Sequence, residues 1–260
     1  MVFFNNENIV IGNFPNGEKQ YFKIKRDEDG ELPRLLTHGK QNLRVIYRDN
    51  SDLFDALLYK KYLDDLMIST VLHIYFIPYG QSDREFDNAI FTFKYFAKLI
   101  NEANFKEVHI YDPHSPVIAG CIDKCIIHSG FSDHMYTDYD LFFYPDNGAA
   151  KKYSEIYDRP YRFGNKKRNL DTGEIICYEV IADKKDIEGK KILIVDDICM
   201  GGRTFKEAAK ALLDMGATQV DLWITHLMPQ AEDFYKNHKD FGITNFYSHN
   251  TLRMPWFQFQ

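Results

Sequence analysis

The chain has 260 residues, room for two modest α/β domains or one large one. It is 45% apolar and 27% charged, with no apolar run near the ~20 residues of a membrane span, so it reads as a globular chain with no membrane-spanning helix. A formal charge of −6 argues against broad nucleic-acid binding. The opening "MVFFNNENIVIGNF" lacks a basic segment and a small-residue cleavage site, so no secretory signal is read. None of the four cysteines forms a CxxC pair. Cys121 and Cys125 are spaced to share one face of a helix, core thiols are the expectation, and the compartment reads as reducing and cytoplasmic.

In chain order, "TVLHIYFIP" (70–78) predicts a buried strand. An amphipathic helix follows, with Phe86, Ile90, Phe93, Ala97 and Ile100 on its apolar stripe and the aromatics from Phe86 to Tyr95 in the core. "EVHIYD" (107–112), "LFFYPD" (141–146), "EIICYEVIA" (174–182) and "KILIVDD" (191–197) predict further strands. A second amphipathic helix carries Phe205, Ala208, Ala209, Leu212 and Leu213, with Gly216 as its stop. "QVDLWITHLM" (219–228) closes the series. Strands alternating with helices imply mainly parallel sheets covered by helices.

Three of these strands end on acid: at Asp112, at Asp146 and at the pair Asp196–Asp197. Aspartate is common in turns and at helix N-termini, so one alone says little. Gathered at the carboxyl ends of parallel strands, where open α/β sheets bind ligands, they suit a metal or sugar hydroxyls. The stretch "KKILIVDDICMGGRTFKEAAKALLDMG" adds an anion seat. Gly201, Gly202, Arg203 and Thr204 lead into a helix whose free N–H groups and positive dipole end attract phosphate. Thr204 and Glu207 have capping-box spacing, which predicts the helix start there. Carboxylates beside a phosphate seat would repel phosphate but accept hydrogen bonds from hydroxyls, so the stretch describes a ribose-phosphate pocket. Neither a Walker loop nor GxGxxG is present.

"ILIVDDICMGGRT" resembles the phosphoribosyl-diphosphate motif shared by type I phosphoribosyltransferases and ribose-phosphate diphosphokinases. Further segments resemble the diphosphokinases: "FPNGE" (14–18), "IPYGQSDRE" (77–85), "VHIYDPHSPVIAGCID" (108–123), "FFYPDNGAAKKYSEI" (142–156) and "GNKKRN" (164–169). The resemblance runs in order over roughly residues 9–250. It implies a phosphoribosyltransferase-like α/β fold of two similar doubly wound domains with mainly parallel sheets. Residues 1–118 would form an ATP-side domain and 119–260 a ribose-phosphate-binding domain, with the apolar tail "MPWFQFQ" packed on the body or on a neighbour.

It also implies the reaction: the β,γ-diphosphate of ATP passes to the 1-hydroxyl of a ribose 5-phosphate unit, and AMP leaves. Phe14, Asn16 and Glu18 would grip adenine across a subunit boundary, with Asp83 and Arg84 near the ATP phosphates. Magnesium would be held at Asp112, His114 and Asp146, with His114 a loose ligand or a phosphate contact. Lys166 and Arg168, on a mobile loop, would close over the transferred phosphates. Asp196 and Asp197 would hold ribose hydroxyls, and Met200, Gly201, Gly202, Arg203 and Thr204 the 5-phosphate. A homo-oligomer is implied.

The chain departs from the family at Gln81–Ser82, where a cation is expected near ATP, and at Met200–Gly201, where the phosphate loop loses a hydroxyl. Gly201 gives room and Met200 an adaptable apolar contact, which suits a substituted phosphate. The acceptor is therefore ribose 5-phosphate or a larger ribose phosphate such as ADP-ribose, the latter placing the enzyme in NAD salvage. Two other classes stay open: a phosphoribosyltransferase, and a non-catalytic diphosphokinase-associated subunit.

Overall fold

The computed structural model describes residues 1–130, 136–168 and 175–251. They form two compact units, Met1–Ser129 and Gly130–Gln260, where the sequence places the division at 118/119.

The first unit holds β1 (Val2–Phe4), β2 (Glu7–Asn8), β3 (Ile11–Asn13), β4 (Lys19–Tyr21), α1 (Arg34–Thr37), β5 (Gln41–Val45), α2 (Asn50–Asp65), β6 (Thr70–Ile74), α3 (Thr92–Glu102), β7 (Val108–Tyr111), α4 (Val117–Cys121) and β8 (Cys125–His128). Its main sheet runs β2-β1-β5-β6-β7-β8, parallel from β5 to β8, with β1 antiparallel to both neighbours. Leu43 and Val45, Leu72 and Ile74, and Val108 and Ile110 alternate onto one face. There they meet Leu53, Ala56 and Leu63 of α2, Phe93, Phe96 and Ile100 of α3, and Ile118 of α4. Each fully buried Leu, Ile or Phe contributes about 1.5–3 kcal/mol relative to exposure.

The helix read from Phe86 begins only at Thr92. Phe86 and Ala89 exchange backbone hydrogen bonds in a turn that sets Asp87 at φ 45, outside helical space. Phe86 and Ile90, predicted on the apolar stripe, are exposed, as is Tyr95, so the stripe is not core as a whole. Cys121 ends α4 and Cys125 begins β8, so they do not share a helix face.

The second unit holds β9 (Leu141–Tyr144), α5 (Asn147–Ser154), β10 (Tyr161–Arg168), β11 (Ile175–Ile181), β12 (Lys191–Cys199), α6 (Arg203–Asp214), β13 (Gln219–Leu227), α7 (Glu232–Lys236) and β14 (Phe246–Thr251). The sheet order is β11-β10-β9-β12-β13-β14, parallel except for β10–β11. The chain starts centrally and winds both ways, so both faces are covered. On one face Ile192 and Ile194 pack with Phe205, Ala208 and Leu212 of α6. On the other, Leu193 and Val195 pack with Ala149, Ala150 and Tyr153 of α5. β9 and β12 are adjacent and parallel, so their carboxyl ends carry Asp146, Asp196 and Asp197 to one edge of the unit.

Candidate active site

β12 does not stop at its acids. It stays paired to β13 as far as Cys199, opposite Leu227. Cys199 is fully buried, and burial, reinforced by Asp196, pushes its thiol up to about 12. The chain then turns through Met200, Gly201 and Gly202 into α6. Gly202 is the N-cap at φ 78, and a Cβ there would lie 2.1 Å from the Phe234 ring, so only glycine fits. A Cβ on Gly201 would meet nothing within 4 Å. Met200 is 45% exposed. No side chain caps α6: Arg203 opens the helix and Thr204 lies inside its first turn, so the expected capping box is not formed. The first turn of α6 thus meets the loop without a side-chain cap from its N-cap residue.

Asp146 follows β9 and caps α5, accepting the Ala149 N–H at 2.9 Å. The Lys166 ammonium sits 2.6 Å from its other oxygen. Burial raises the Asp146 carboxyl, but Lys166 and the backbone donors outweigh it, and the net shift is downward. Asp196 moves the other way. Burial, then Asp197 and Asp146, hold it well above the usual carboxylate range. Tyr178 closes the floor of this cluster, donating to the Pro145 carbonyl at 3.1 Å. A Cβ on Gly164 would strike the Tyr178 hydroxyl at 2.1 Å, so Gly164 allows that contact.

Lys166 and Arg168, expected on a mobile loop, belong to β10, which pairs with β11 through Lys166↔Tyr178 and shifts register between Lys167 and Arg168. The Arg168 side chain and residues 169–174 lie outside the described residues.

In the first unit, Phe14–Glu18 form the tip of the β3–β4 hairpin. Phe14 N–H donates to the Glu18 carbonyl, Gly17 N–H to the Phe14 carbonyl, and Asn16 Oδ1 accepts the Glu18 N–H at 3.1 Å. Phe14 is 49% exposed, so it is not core. The hairpin is latched to α2 by buried Asp55, which accepts from Lys19 at 2.7 Å and from the Tyr21 hydroxyl at 2.7 Å.

Asp83 is held by Ser115 and by Arg84 at 3.1 Å. Burial raises its carboxyl, and these hydrogen bonds bring it below the usual value. Ser82 accepts the Phe93 N–H on its carbonyl and the Thr92 N–H on its hydroxyl, so it serves the start of α3. Asp112 is buried at φ 43 and His114 is exposed. Tyr79 lies at φ 62. Strained non-glycine residues of this kind gather at functional segments. Among the described residues no three His, Cys, Asp or Glu side chains are gathered to hold a metal.

Sequence reasoning missed Lys152, Tyr178, Ser115 and the Asp55 latch. Lys152 alone carried a signal, as a cation one helical turn after the small residues of "NGAAKK".

A family model for the phosphoribosyl transferase domain matches residues 154–255. Over 226 residues the chain is 31% identical to the ribose-phosphate pyrophosphokinase of Staphylococcus epidermidis, covering 78% of this chain and 68% of that one. The chain belongs to the ribose-phosphate pyrophosphokinase family. Another such pyrophosphokinase, from Saccharolobus solfataricus, is 25% identical over 83% of this chain and 75% of its own. The crystal structure of phosphoribosylpyrophosphate synthetase from Mycobacterium smegmatis superposes with a TM-score of 0.69 at 20% identity, covering 93% of this chain and 79% of that one. The pyrophosphokinase match exceeds the length of either unit, so it extends beyond the phosphoribosyl transferase domain. The phosphoribosyltransferase-like α/β fold expected from the sequence is the one observed. No helix among the described residues is long and apolar enough to cross a membrane.

Proposed function

We propose that this pyrophosphokinase-family chain transfers the β,γ-diphosphate of ATP to the 1-hydroxyl of a ribose 5-phosphate unit. The bond from O1 to the β-phosphorus forms, the bond from that phosphorus to the α,β-bridging oxygen breaks, AMP leaves, and the hydroxyl proton goes to solvent. One observation carries the reading: Asp196, near the end of β12, lies four residues before Met200, where the glycine turn that opens α6 begins. A carboxylate for hydroxyls next to a helix N-terminus for phosphate is the chemistry of a ribose phosphate.

The acceptor phosphate would rest on the N–H groups of Gly201–Thr204, with Arg203 at the exposed rim. Adenine would stack on Phe14 at the hairpin tip, with Asn16 and Glu18 beside it, and Asp83 and Arg84 would lie toward the phosphates. The exposed tip is suited to a neighbouring copy, so a homo-oligomer belongs to the proposal. The proposed nucleotide residues belong to the first unit and the proposed acceptor residues to the second, in a cytoplasmic enzyme.

The donor set fits magnesium. Asp146 presents an oxygen that already faces a cation, Lys166, and magnesium commonly takes one or two carboxylates plus substrate phosphates rather than a protein cage. Asp146 would hold the ion, and Asp112 and His114 are proposed as metal residues on the family resemblance alone. When bound, magnesium supplies charge neutralisation on the transferred diphosphate. Lys166 and Arg168 would then donate to the phosphate oxygens as negative charge builds.

The relatives are named for ribose phosphate, which favours ribose 5-phosphate as acceptor. The open space at Gly201 and the exposed Met200 favour a second acceptor whose phosphate continues, such as ADP-ribose, which would place the product in NAD salvage. The test is ATP and magnesium with each acceptor in parallel, following AMP and product mass. AMP release dependent on an acceptor supports the reading. Phosphoribosyl transfer to a base without ATP, or no ATP conversion with either acceptor, overturns it.

A further inference from the structure

Asp196 and Asp197 are neighbours on a strand, so their side chains leave on opposite faces. Asp196 continues the row Ile192–Ile194 on the α6 side, and Asp197 continues Leu193–Val195 on the α5 side. The two also differ in access. Asp196 is half-buried, whereas Asp197 is 4% exposed. Asp197 Oδ2 lies 3.0 Å from Lys152 Nζ, whose side chain is itself 18% exposed and lies over the Tyr153 ring. The Asp197 backbone N–H, in turn, donates to Asp196 Oδ1 at 2.9 Å. A chain of contacts therefore runs from α5 through Lys152 and Asp197 to Asp196, the more exposed of the two neighbours.

We propose that Lys152 and Asp197 form a positioning pair which aims Asp196, and that Asp196 rather than Asp197 holds the acceptor hydroxyls. The inference rests on the ribose-phosphate reading of this site and assigns unequal roles to its two acids. The charge on Asp197 is tolerable in a nearly dry position because Lys152 balances it. The pair ties the end of β12 to α5, and a strand end so tied keeps the Asp197 N–H on line with Asp196. Removing Lys152 alone takes away a cation 3.0 Å from a buried carboxylate, which would draw the strand end toward water and turn Asp196 off the acceptor. Removing both charges together relieves that pull while the N–H that aims Asp196 remains, since it is backbone.

The experiment compares Lys152→Met, Lys152→Arg, Asp197→Asn, Asp196→Asn and the double variant Lys152→Met with Asp197→Asn. Each is followed by urea denaturation, by calorimetric binding of ribose 5-phosphate and of ADP-ribose, and by the KM for ATP. Lys152→Met is expected to weaken acceptor binding about tenfold and to lower the denaturation midpoint, with the KM for ATP unchanged. Lys152→Arg retains binding. The double variant recovers acceptor affinity to within about threefold of wild type, a non-additivity that marks direct coupling. Asp196→Asn loses acceptor binding whatever its stability.

Loss of acceptor binding in the double variant equal to that in Asp196→Asn, with a folded protein, overturns the inference and returns Asp197 to the acceptor. Additive effects of Lys152→Met and Asp197→Asn on stability overturn it as well. Wild-type binding without AMP release would sink diphosphate transfer while leaving the pair's role standing. Failure of the wild type to bind either acceptor would overturn both.

Discussion

Replacing Gly202 with alanine probes the phosphate seat most sharply. At φ 78 an L-residue carries strain of about 1–2 kcal/mol. Its Cβ would stand 2.1 Å from the Phe234 ring, far inside contact distance. Phe234 cannot swing aside freely, because it is buried and stacks on Phe205 and Phe241 with centroids 6.2 and 5.9 Å away. Overpacking of that kind costs about 1–3 kcal/mol, so the total is about 2–5 kcal/mol against a typical stability of about 5–15. Thermal denaturation should fall by roughly 5–15 °C. The KM for the acceptor should rise as the α6 N-terminus shifts. Gly201→Ala is the control, since its Cβ meets nothing within 4 Å and its φ is not in the left-handed region. It should change stability by less than about 1 kcal/mol. Equal melting temperatures for Gly202→Ala and wild type would refute the argument that Phe234 and the left-handed turn fix this loop.

Asp55→Ala should cost about 2–4 kcal/mol and raise the KM for ATP, because Lys19 and Tyr21 lose the partner that latches the hairpin; hydrogen exchange across β3 and β4 checks the loosening. Cys199 should resist iodoacetamide at pH 8 in the native protein and react only after unfolding, since its thiol is buried and pushed up to about 12. Burial raises the Asp52 carboxyl, but hydrogen bonds from Arg48 and the Met1 ammonium bring it down to about 2. A depressed carboxyl contributes stability above its unfolded value of about 4 and loses it as pH falls toward 2. Acid titration of the wild type should show that loss, and Asp52→Asn should be less stable at pH 7 with a flatter profile below pH 4.

The parts of the fold written in apolar periodicity could be read directly. β12 and α6 stood out because Ile192–Val195 are buried without interruption and Phe205, Ala208, Ala209 and Leu212 recur at helical spacing on one buried stripe. α2 was missed for the opposite reason: it buries Asp52, Asp55 and Lys60 through ion pairs, which interrupt the apolar rhythm. The start of α3 was misplaced because Phe86 and Ile90 keep helical spacing while the turn at Asp87 leaves helical space. Position along the chain brought Asp146 and Asp196 to neighbouring strand ends, as expected of parallel strands. It gave no sign that Lys166 would sit on a strand against Asp146, nor that Asp197 would turn to Lys152. The first depends on strand placement in the sheet and the second on how α5 packs against it, and local sequence encodes neither.

The central claim is diphosphate transfer to the anomeric hydroxyl of a ribose phosphate. The most direct measurement incubates the protein with magnesium and ATP and offers ribose 5-phosphate or ADP-ribose, resolving nucleotides and product mass. Stoichiometric AMP with an acceptor heavier by one diphosphate is the predicted result. ADP in place of AMP, or no acceptor-dependent conversion of ATP at all, would contradict it.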